Sequence, residues 1–308
     1  MKVGIIGTGF VGASAAYALT LRGSCTELVL VDLNAKKALA EAEDLQHATP
    51  FTHPVRVSAG QYPDLADAQV VILTAGVNQK PGETRLQLLE RNVKIFADVV
   101  PQVVKAAPEA ILLVATNPVD VLTAVTARIA GLPDGQVMGS GTTLDTARFR
   151  ALVGQHVGID PQHVHAFVLG EHGDSEVLAW SSASISGIPI EEYCLQREIQ
   201  WDEEVRKTID EKVRKAAYTI IEGKGATYYG IGAALARITE AIARDARAIL
   251  SVTAPNKEGL AYALPRIVGG SGIRDTLEVP LNAQETEALT RSIEILQEAT
   301  HLAMGHLR

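Results

Sequence analysis

The 308-residue chain has few cysteines, few basic residues and no long hydrophobic run. Its only two cysteines, Cys25 and Cys194, exclude a disulfide framework and a cysteine-based metal site. No uninterrupted apolar segment is long enough to cross a bilayer, so we expect no membrane partner. Because an apolar segment begins at the first residues, we expect no signal peptide and a cytoplasmic location.

Basic residues are outnumbered by acidic ones, 28 against 36, which gives a formal net charge of −8. A negative surface of this kind argues against nucleic acid as a partner. With 47% hydrophobic and 21% charged residues, the composition is that of a soluble globular protein with a large core. The length predicts two domains, and we divide them as residues 1–140 and 141–308.

Glycines are concentrated near the amino terminus in the pattern Gly-x-Gly-x-x-Gly. A short apolar strand over residues 3–6 leads into Gly7, Gly9 and Gly12, and residues 13–19 are typical of a helix. Gly7 permits a tight turn, Gly9 lets a pyrophosphate approach the backbone, and Gly12 lets the helix pack closely on the strand. A glycine-rich structural turn is the alternative.

An acid follows at the spacing that a dinucleotide site needs. Residues 27–32 predict a second strand that ends at Asp32, 20 residues after Gly12. An acid at this position binds the adenine ribose in dinucleotide-binding folds. Because Asp32 would repel a ribose 2′-phosphate, the sequence predicts NAD rather than NADP as the cofactor.

Strand and helix patterns alternate through the first half, which predicts an α/β fold with a doubly wound parallel sheet. Further strands are predicted over 69–74, 111–116 and 136–141. Ligands bind beyond the carboxyl ends of such strands, where Thr74, Ala75, Gly76 and Asn117 lie.

In the second half the regular alternation of strands and helices gives way to long helical stretches and separate strands. This pattern predicts an α+β substrate domain. We expect strands over 164–169, 249–253 and 263–268, and helices over 202–222, 231–247 and 283–304.

Two short stretches in this half carry a chemically useful set of side chains, Asp145, Arg148 and His172. A guanidinium matches a carboxylate in two parallel hydrogen bonds, and a histidine transfers a proton near neutral pH. An acid beside that histidine fixes its tautomer and favours its protonated form. The alternatives are a helix-surface ion pair and an ordinary polar histidine.

Six stretches together identify a family resemblance: 7–12 with Asp32, 75–85, 116–120, 144–150, 170–175 and 224–229. Over nearly its full length the chain resembles L-lactate dehydrogenases of the bacterial type, in the lactate/malate dehydrogenase superfamily. The resemblance implies a Rossmann NAD-binding domain, a catalytic domain that also mediates oligomerisation, and a homotetramer. It implies NAD contacts from Gly7, Gly9, Phe10, Val11, Gly12, Asp32, Thr74, Ala75, Gly76 and Asn117.

The resemblance also assigns the catalytic roles. His172 resembles the residue that protonates the ketone oxygen of pyruvate as NADH delivers hydride, with Asp145 as its orienting partner. Arg148 resembles the residue that binds the substrate carboxylate. Arg85 resembles the arginine of a mobile loop that closes onto the carbonyl oxygen, and Asn117 donates a hydrogen bond near the same oxygen. Pairing of Arg85 with a neighbouring acid, and a simple turn role for Asn117, remain open.

Substrate choice rests on Gln79, with Thr227 at the same end of the site. The resemblance implies Gln at this loop position in lactate dehydrogenases and Arg in malate dehydrogenases. A neutral Gln79 leaves the second carboxylate of oxaloacetate unpaired, which favours pyruvate. The alternative for Gln79 is an exposed loop amide without a role in binding. The alternatives for the whole protein are a malate dehydrogenase or broad 2-ketoacid reductase, and a nucleotide-binding structural protein without turnover.

Arg150 and His165 match an effector site of the family. The resemblance implies that two copies of each bind fructose 1,6-bisphosphate at a two-fold subunit interface. The alternative is a pair of ordinary interface residues. We expect no metal.

Overall fold

The computed structural model describes residues 1–77 and 85–307, and of Arg85 it describes the backbone alone. Within these residues the strands are β1 (Lys2–Ile6), β2 (Glu27–Val31), β3 (Arg56–Ala59), β4 (Val70–Leu73), β5 (Ile111–Val114), β6 (Val137–Gly139), β7 (Val164–His165), β8 (Val168–Leu169), β9 (Val177–Leu178), β10 (Ser184–Ile185), β11 (Ile188–Pro189), β12 (Ala248–Pro255), β13 (Ala261–Gly269) and β14 (Gly272–Thr276). The α-helices are α1 (Phe10–Arg22), α2 (Ala35–Ala48), α3 (Arg85–Ala106), α4 (Val119–Ala130), α5 (Thr143–Val157), α6 (Ile190–Gln196), α7 (Glu203–Lys224), α8 (Tyr229–Ala243) and α9 (Ala283–Gly305).

The first six strands form a doubly wound parallel sheet in the order β6-β5-β4-β1-β2-β3, as the alternating pattern predicts. Ile5 of β1 pairs with Leu30 of β2 on one side and with Ile72 of β4 on the other, and all three are fully buried. Strands covered by helices on both faces are apolar throughout because neither face meets water. The strand order reverses at β1, and a ligand crevice is expected there, at the carboxyl ends of β1 and β4.

Three strands from the second half extend the same sheet, which the sequence did not predict. β12, β13 and β14 are antiparallel to one another, and β12 joins β6 where Thr253 lies opposite Gly139. Helices α1 and α8 also pack very closely, because a Cβ on Gly232 would lie 2.8 Å from the backbone of Ser14. The two halves of the chain therefore share one sheet and one helix interface.

Two predicted elements of the second half have the wrong extent. The strand over 164–169 is divided, because β7 pairs with β10 while β8 pairs with β9 in a separate small sheet. The helix over 231–247 ends at Ala243, since Asp245 and Arg247 have positive φ and β12 begins directly after them. No helix in the described ranges is long and apolar enough to cross a membrane.

Candidate active site

The three fingerprint glycines lie at the reversal of the sheet, and two of them are fixed by backbone packing. Gly7 has φ +96°, and a Cβ there would lie 2.7 Å from the backbone nitrogen of Ala75. A Cβ on Gly12 would lie 2.0 Å from the carbonyl oxygen of Gly7. A Cβ on Gly9 would meet nothing within 4 Å in the part of the chain that the structure describes. Gly7 and Gly12 therefore hold α1 against the strands, whereas Gly9 leaves open space in front of the helix.

The amino terminus of α1 fits an anionic group such as a pyrophosphate. Gly9 is its N-cap and supplies no side-chain hydrogen bond to the first turn. Uncapped amides and the helix dipole both favour negative charge at this point. Phe10, the first residue of α1, is 67% exposed, and Val11 is half-buried. The observed cradle is suited to a dinucleotide.

Asp32 lies just beyond β2 as an ionised hydrogen-bond acceptor. Its Oδ2 accepts the backbone N–H of Thr8 at 2.7 Å and the Thr8 hydroxyl at 3.0 Å, and its Oδ1 accepts the Asn34 N–H at 2.9 Å. Burial opposes the charge, but these hydrogen bonds outweigh burial and lower the pKa of Asp32. A charged carboxylate therefore stands beside the glycine turn, as a ribose-binding acid requires.

A buried asparagine, Asn92, links the carboxyl ends of β4 and β5. Its Oδ1 accepts the Val77 N–H at 3.0 Å, and its amide donates to the carbonyl oxygen of Asn117 at 3.1 Å. At the end of β4 the Thr74 hydroxyl donates to the carbonyl of Gly7 at 2.7 Å. Sequence reasoning missed Asn92, because one asparagine within a long helix carries no motif. Through it the backbone of Asn117 is fixed at the edge where the crevice opens.

Asp145 contacts both other members of the predicted catalytic set. Its Oδ2 lies 2.6 Å from Nδ1 of His172, and its Oδ1 accepts a hydrogen bond from Nη1 of Arg148 at 2.7 Å. The spacing of three residues on α5 places Asp145 and Arg148 on one helix face. His172 lies in the loop between β8 and β9 and contacts the same carboxylate. The structure thus joins an imidazole and a guanidinium through one buried acid.

These contacts determine the charge of each group. Burial disfavours the imidazolium, but the charge and hydrogen bond of Asp145 outweigh burial and raise the pKa of His172 to about 9. Burial also opposes the Asp145 carboxylate, yet His172 and Arg148 together lower the pKa of Asp145. At neutral pH the free site therefore holds an imidazolium, a carboxylate and a guanidinium.

Asp120 positions the backbone of His172. Its Oδ2 accepts the His172 N–H at 2.7 Å, and its Oδ1 accepts the hydroxyl of Thr253 from β12. Burial is the main reason that the pKa of Asp120 rises to about 6. Asp120 belongs to the 116–120 stretch that carries the family resemblance, and no role was predicted for it. The only sequence signal for a role of Asp120 was its position three residues after Asn117. Its partner His172 lies 52 residues further along the chain.

Glu176 is a second acid that sequence reasoning missed. It is 3% exposed and lies at the end of the loop that carries His172. Burial, then the charge of Asp145, raise the pKa of Glu176 to about 8. The guanidinium of Arg214 on α7 donates to the backbone carbonyls of Asp174 and Glu176 and so attaches this loop to α7.

Of the four residues predicted to contact the substrate at this end of the site, the structure describes the side chains of two, Arg148 and Thr227. Arg148 and Thr227 line one cavity of about 460 Å³ between α5, α7 and α8, so the structure brings these two predicted residues together. Gln79 lies outside the described residues. Arg85 begins α3, but its side chain is outside the described set.

The two predicted effector residues, Arg150 and His165, lie in different environments. Arg150 donates from Nε to the carbonyl of Ala166 at 3.0 Å, and its guanidinium lies 5.4 Å from the centre of the Phe167 ring. Burial lowers the pKa of Arg150. His165 is exposed and pairs through β7 with Ser184 of β10.

Known protein families match both halves of the chain. A family model described as lactate/malate dehydrogenase, NAD binding domain, matches residues 1–139, and one described as lactate/malate dehydrogenase, alpha/beta C-terminal domain, matches residues 142–305. The first match identifies NAD as the cofactor and agrees with the glycine cradle and the ionised Asp32.

Individual relatives are similar over almost the whole chain. The chain is 60% identical to an L-lactate dehydrogenase of Chloroherpeton thalassium, over 97% of this chain and 98% of that protein. It is 59% identical to an L-lactate dehydrogenase of Thermus aquaticus, with the same coverage. Among solved structures, the minor L-lactate dehydrogenase from Enterococcus mundtii in its ligands-bound form is 43% identical, with a TM-score of 0.94 and 97% of each chain covered.

Proposed function

Because the chain belongs to the lactate/malate dehydrogenase family, we propose that it is an NAD-dependent L-lactate dehydrogenase, which reduces pyruvate to L-lactate and catalyses the reverse reaction. The observation that carries this proposal is the bridging position of Asp145. One buried carboxylate holds a proton donor and a carboxylate-binding guanidinium side by side. A 2-ketoacid presents its ketone oxygen and its carboxylate on adjacent carbons, so it needs both groups together.

His172 acts as the acid and base of the reaction. Asp145 occupies Nδ1, which leaves Nε2 to donate a proton to the ketone oxygen or to accept one from the hydroxyl of lactate. The hydride comes from NADH when that cofactor is bound. A pKa of about 9 keeps His172 protonated at neutral pH, the form that pyruvate reduction requires.

Arg148 binds the substrate carboxylate. Its Nη1 is held by Asp145, which fixes the plane of the guanidinium and leaves its other N–H groups for a ligand. Arg148 and Thr227 line the same cavity. Because the Thr227 side chain is uncharged, it suits the methyl group of pyruvate. The carboxylate is thereby oriented relative to His172.

Three further roles complete the proposal. Gln79 leaves the second carboxylate of oxaloacetate without a partner, which favours pyruvate over a malate dehydrogenase substrate. Arg85 stabilises the negative charge that grows on the carbonyl oxygen, and Asn117 donates a hydrogen bond near the same atom.

The chain is also proposed to work as a homotetramer activated by fructose 1,6-bisphosphate. Arg150 and His165 from two subunits would supply a cationic patch for the two phosphates. Effector addition should lower the KM for pyruvate or promote assembly. An unchanged KM together with unchanged assembly would contradict this part of the proposal alone.

The function is tested by following NADH oxidation with pyruvate and with oxaloacetate. We expect kcat/KM for pyruvate to exceed that for oxaloacetate by about 100-fold or more, since an unpaired carboxylate costs several kcal/mol in a closed site. A preference for oxaloacetate would favour a malate dehydrogenase. Turnover of neither substrate would favour a nucleotide-binding protein without catalysis.

A further inference from the structure

The carboxyl group of Glu176 is buried against the catalytic pair. The side chain is 3% exposed, and its Oε1 has no hydrogen-bond partner within residues 1–77 and 85–307. One carboxylate oxygen from each of Glu176 and Asp145 and one ring nitrogen of His172 all lie within 4.8 Å of one another. A buried carboxyl with one oxygen unpartnered among the described residues, this close to a second carboxylate, is costly in its ionised form.

Hydrogen bonds hold the backbone of Glu176 in place. Its N–H donates to the carbonyl of Gly173 at 3.2 Å, and its own carbonyl accepts from the guanidinium of Arg214. Arg214 is in turn held on α7 by an ion pair with Asp210. The loop is therefore attached to α7 at the position of Glu176 itself.

The charged groups that face Glu176 come from three elements. Asp145 and Arg148 face it from α5, His172 faces it from its own loop, and Arg214 faces it from α7. Asp120 on α4 acts on this group through His172, whose N–H it accepts. The three cations do not fully offset burial and Asp145, so the pKa of Glu176 remains raised, at about 8.

We propose that Glu176 is a positioning residue that binds a proton when the anionic substrate binds, so that substrate affinity depends on two protons rather than on that of His172 alone. This inference rests on the proposed function. Substrate brings a carboxylate to Arg148 and a polarised oxygen to His172, the same cations that face Glu176. An ionised Glu176 would repel that carboxylate and compete for the same cations, so substrate binds the form in which Glu176 is neutral.

Proton linkage gives this proposal a distinctive signature. If binding requires both Glu176 and His172 in their protonated forms, affinity at high pH falls with the square of the proton concentration. If only His172 matters, affinity falls in simple proportion. Above pH 9 the dissociation constant should therefore rise by about 100-fold per pH unit in the first case and about tenfold in the second.

The test measures the dissociation constant of oxamate, the amide isostere of pyruvate, with the NADH complex from pH 7 to about 10. The wild type should approach the steeper limit, and Glu176→Gln, which is uncharged and of the same shape, should follow the shallower one. Glu171→Gln is the matched control, because the Glu171 carboxylate lies in the same loop and accepts hydrogen bonds from Ser175. This control should keep the steep dependence.

Either of two pH profiles would overturn the proposal: a shallow dependence in the wild type, or a steep dependence retained in Glu176→Gln. An infrared difference spectrum of the wild type needs no variant. Oxamate binding at pH 8.5 should increase the protonated-carboxyl C=O band, and an unchanged band would contradict the proposal.

If the wild type reduces pyruvate and the dissociation constant of oxamate depends only shallowly on pH, only the role of Glu176 fails. If it neither binds oxamate nor reduces pyruvate, the proposed function fails and the role of Glu176 with it.

Discussion

Nδ1 of His172 lies 2.6 Å from Oδ2 of Asp145, across 27 residues of sequence. This contact connects the loop after β8 to helix α5 and engages Nδ1 of the imidazole, which leaves Nε2 for proton transfer in the proposed reaction. The opposite oxygen of the same carboxylate holds Arg148, so a change at Asp145 is expected to alter proton transfer and substrate binding together.

The pH dependence of the reaction should reflect the raised pKa of His172, about 9. Pyruvate reduction needs the imidazolium, and substrate binding needs the protonated Glu176, so kcat/KM should be high at neutral pH, begin to fall above about pH 8 and fall further through about pH 9. Lactate oxidation needs the neutral ring and should rise over the same range. Asp145→Asn removes the group that raises this pKa while burial persists, so both midpoints should move to lower pH. Unchanged midpoints in this variant would contradict the assignment.

Replacement of Arg148 by lysine should chiefly affect substrate affinity. Lysine keeps the charge but loses the planar pair of donors and the fixed contact with Asp145. We expect the KM for pyruvate to rise by about 10- to 100-fold, as for the loss of one hydrogen bond between charged groups. Steady-state kinetics with separate NADH binding measurements test this, because NADH affinity should stay within about twofold of the wild type.

Asp32 should determine the choice between NADH and NADPH. Thr8 and Asn34 hold its charge beside the glycine turn, where we propose that the adenine ribose of the cofactor binds. Asp32→Ser removes that charge, and the ratio of kcat/KM for NADPH to that for NADH should rise by at least about tenfold, since like-charge contacts cost several kcal/mol. A ratio equal to that of the wild type would place the ribose elsewhere.

Alanine substitutions at Gly9 and Gly12 form a matched pair, because one should affect NADH binding and the other the stability of the fold. A Cβ on Gly12 would lie 2.0 Å from the carbonyl of Gly7, so Gly12→Ala should destabilise the fold by about 1–3 kcal/mol. A Cβ on Gly9 would meet nothing within 4 Å among residues 1–77 and 85–307, so Gly9→Ala should keep the wild-type Tm and weaken NADH binding. Thermal unfolding and NADH titration separate the two. A lower Tm for Gly9→Ala with intact NADH affinity would contradict this account.

The parts of the fold that the sequence predicts are those with local causes. The glycine turn, α1, β2 and Asp32 lie within 32 residues, and each depends on its immediate neighbours. The pairing of Asp145 with His172 was expected only through the family resemblance, since no periodicity relates residues 27 apart. The division of residues 164–169 between two small sheets depends on partners such as Ser184, which the strand pattern does not reveal.

The contacts that sequence reasoning missed join distant segments. Asp120 meets Thr253 across 133 residues, because β12 adds to the sheet beside β6. The environment of Glu176 depends on α7 as well as on its own loop, so its raised pKa has no signature in the residues next to it. Charges in a buried site follow from long-range packing, which composition and spacing do not determine.

The most direct test of the central claim is a single turnover of NADH with pyruvate in the His172→Asn variant. Asparagine keeps the side chain polar and its length similar, but it cannot carry the proton to the ketone oxygen. We predict that this variant binds NADH as the wild type does and oxidises it about 100- to 10,000-fold more slowly. Hydride transfer at the wild-type rate would contradict the assignment of His172 and with it the account of this site.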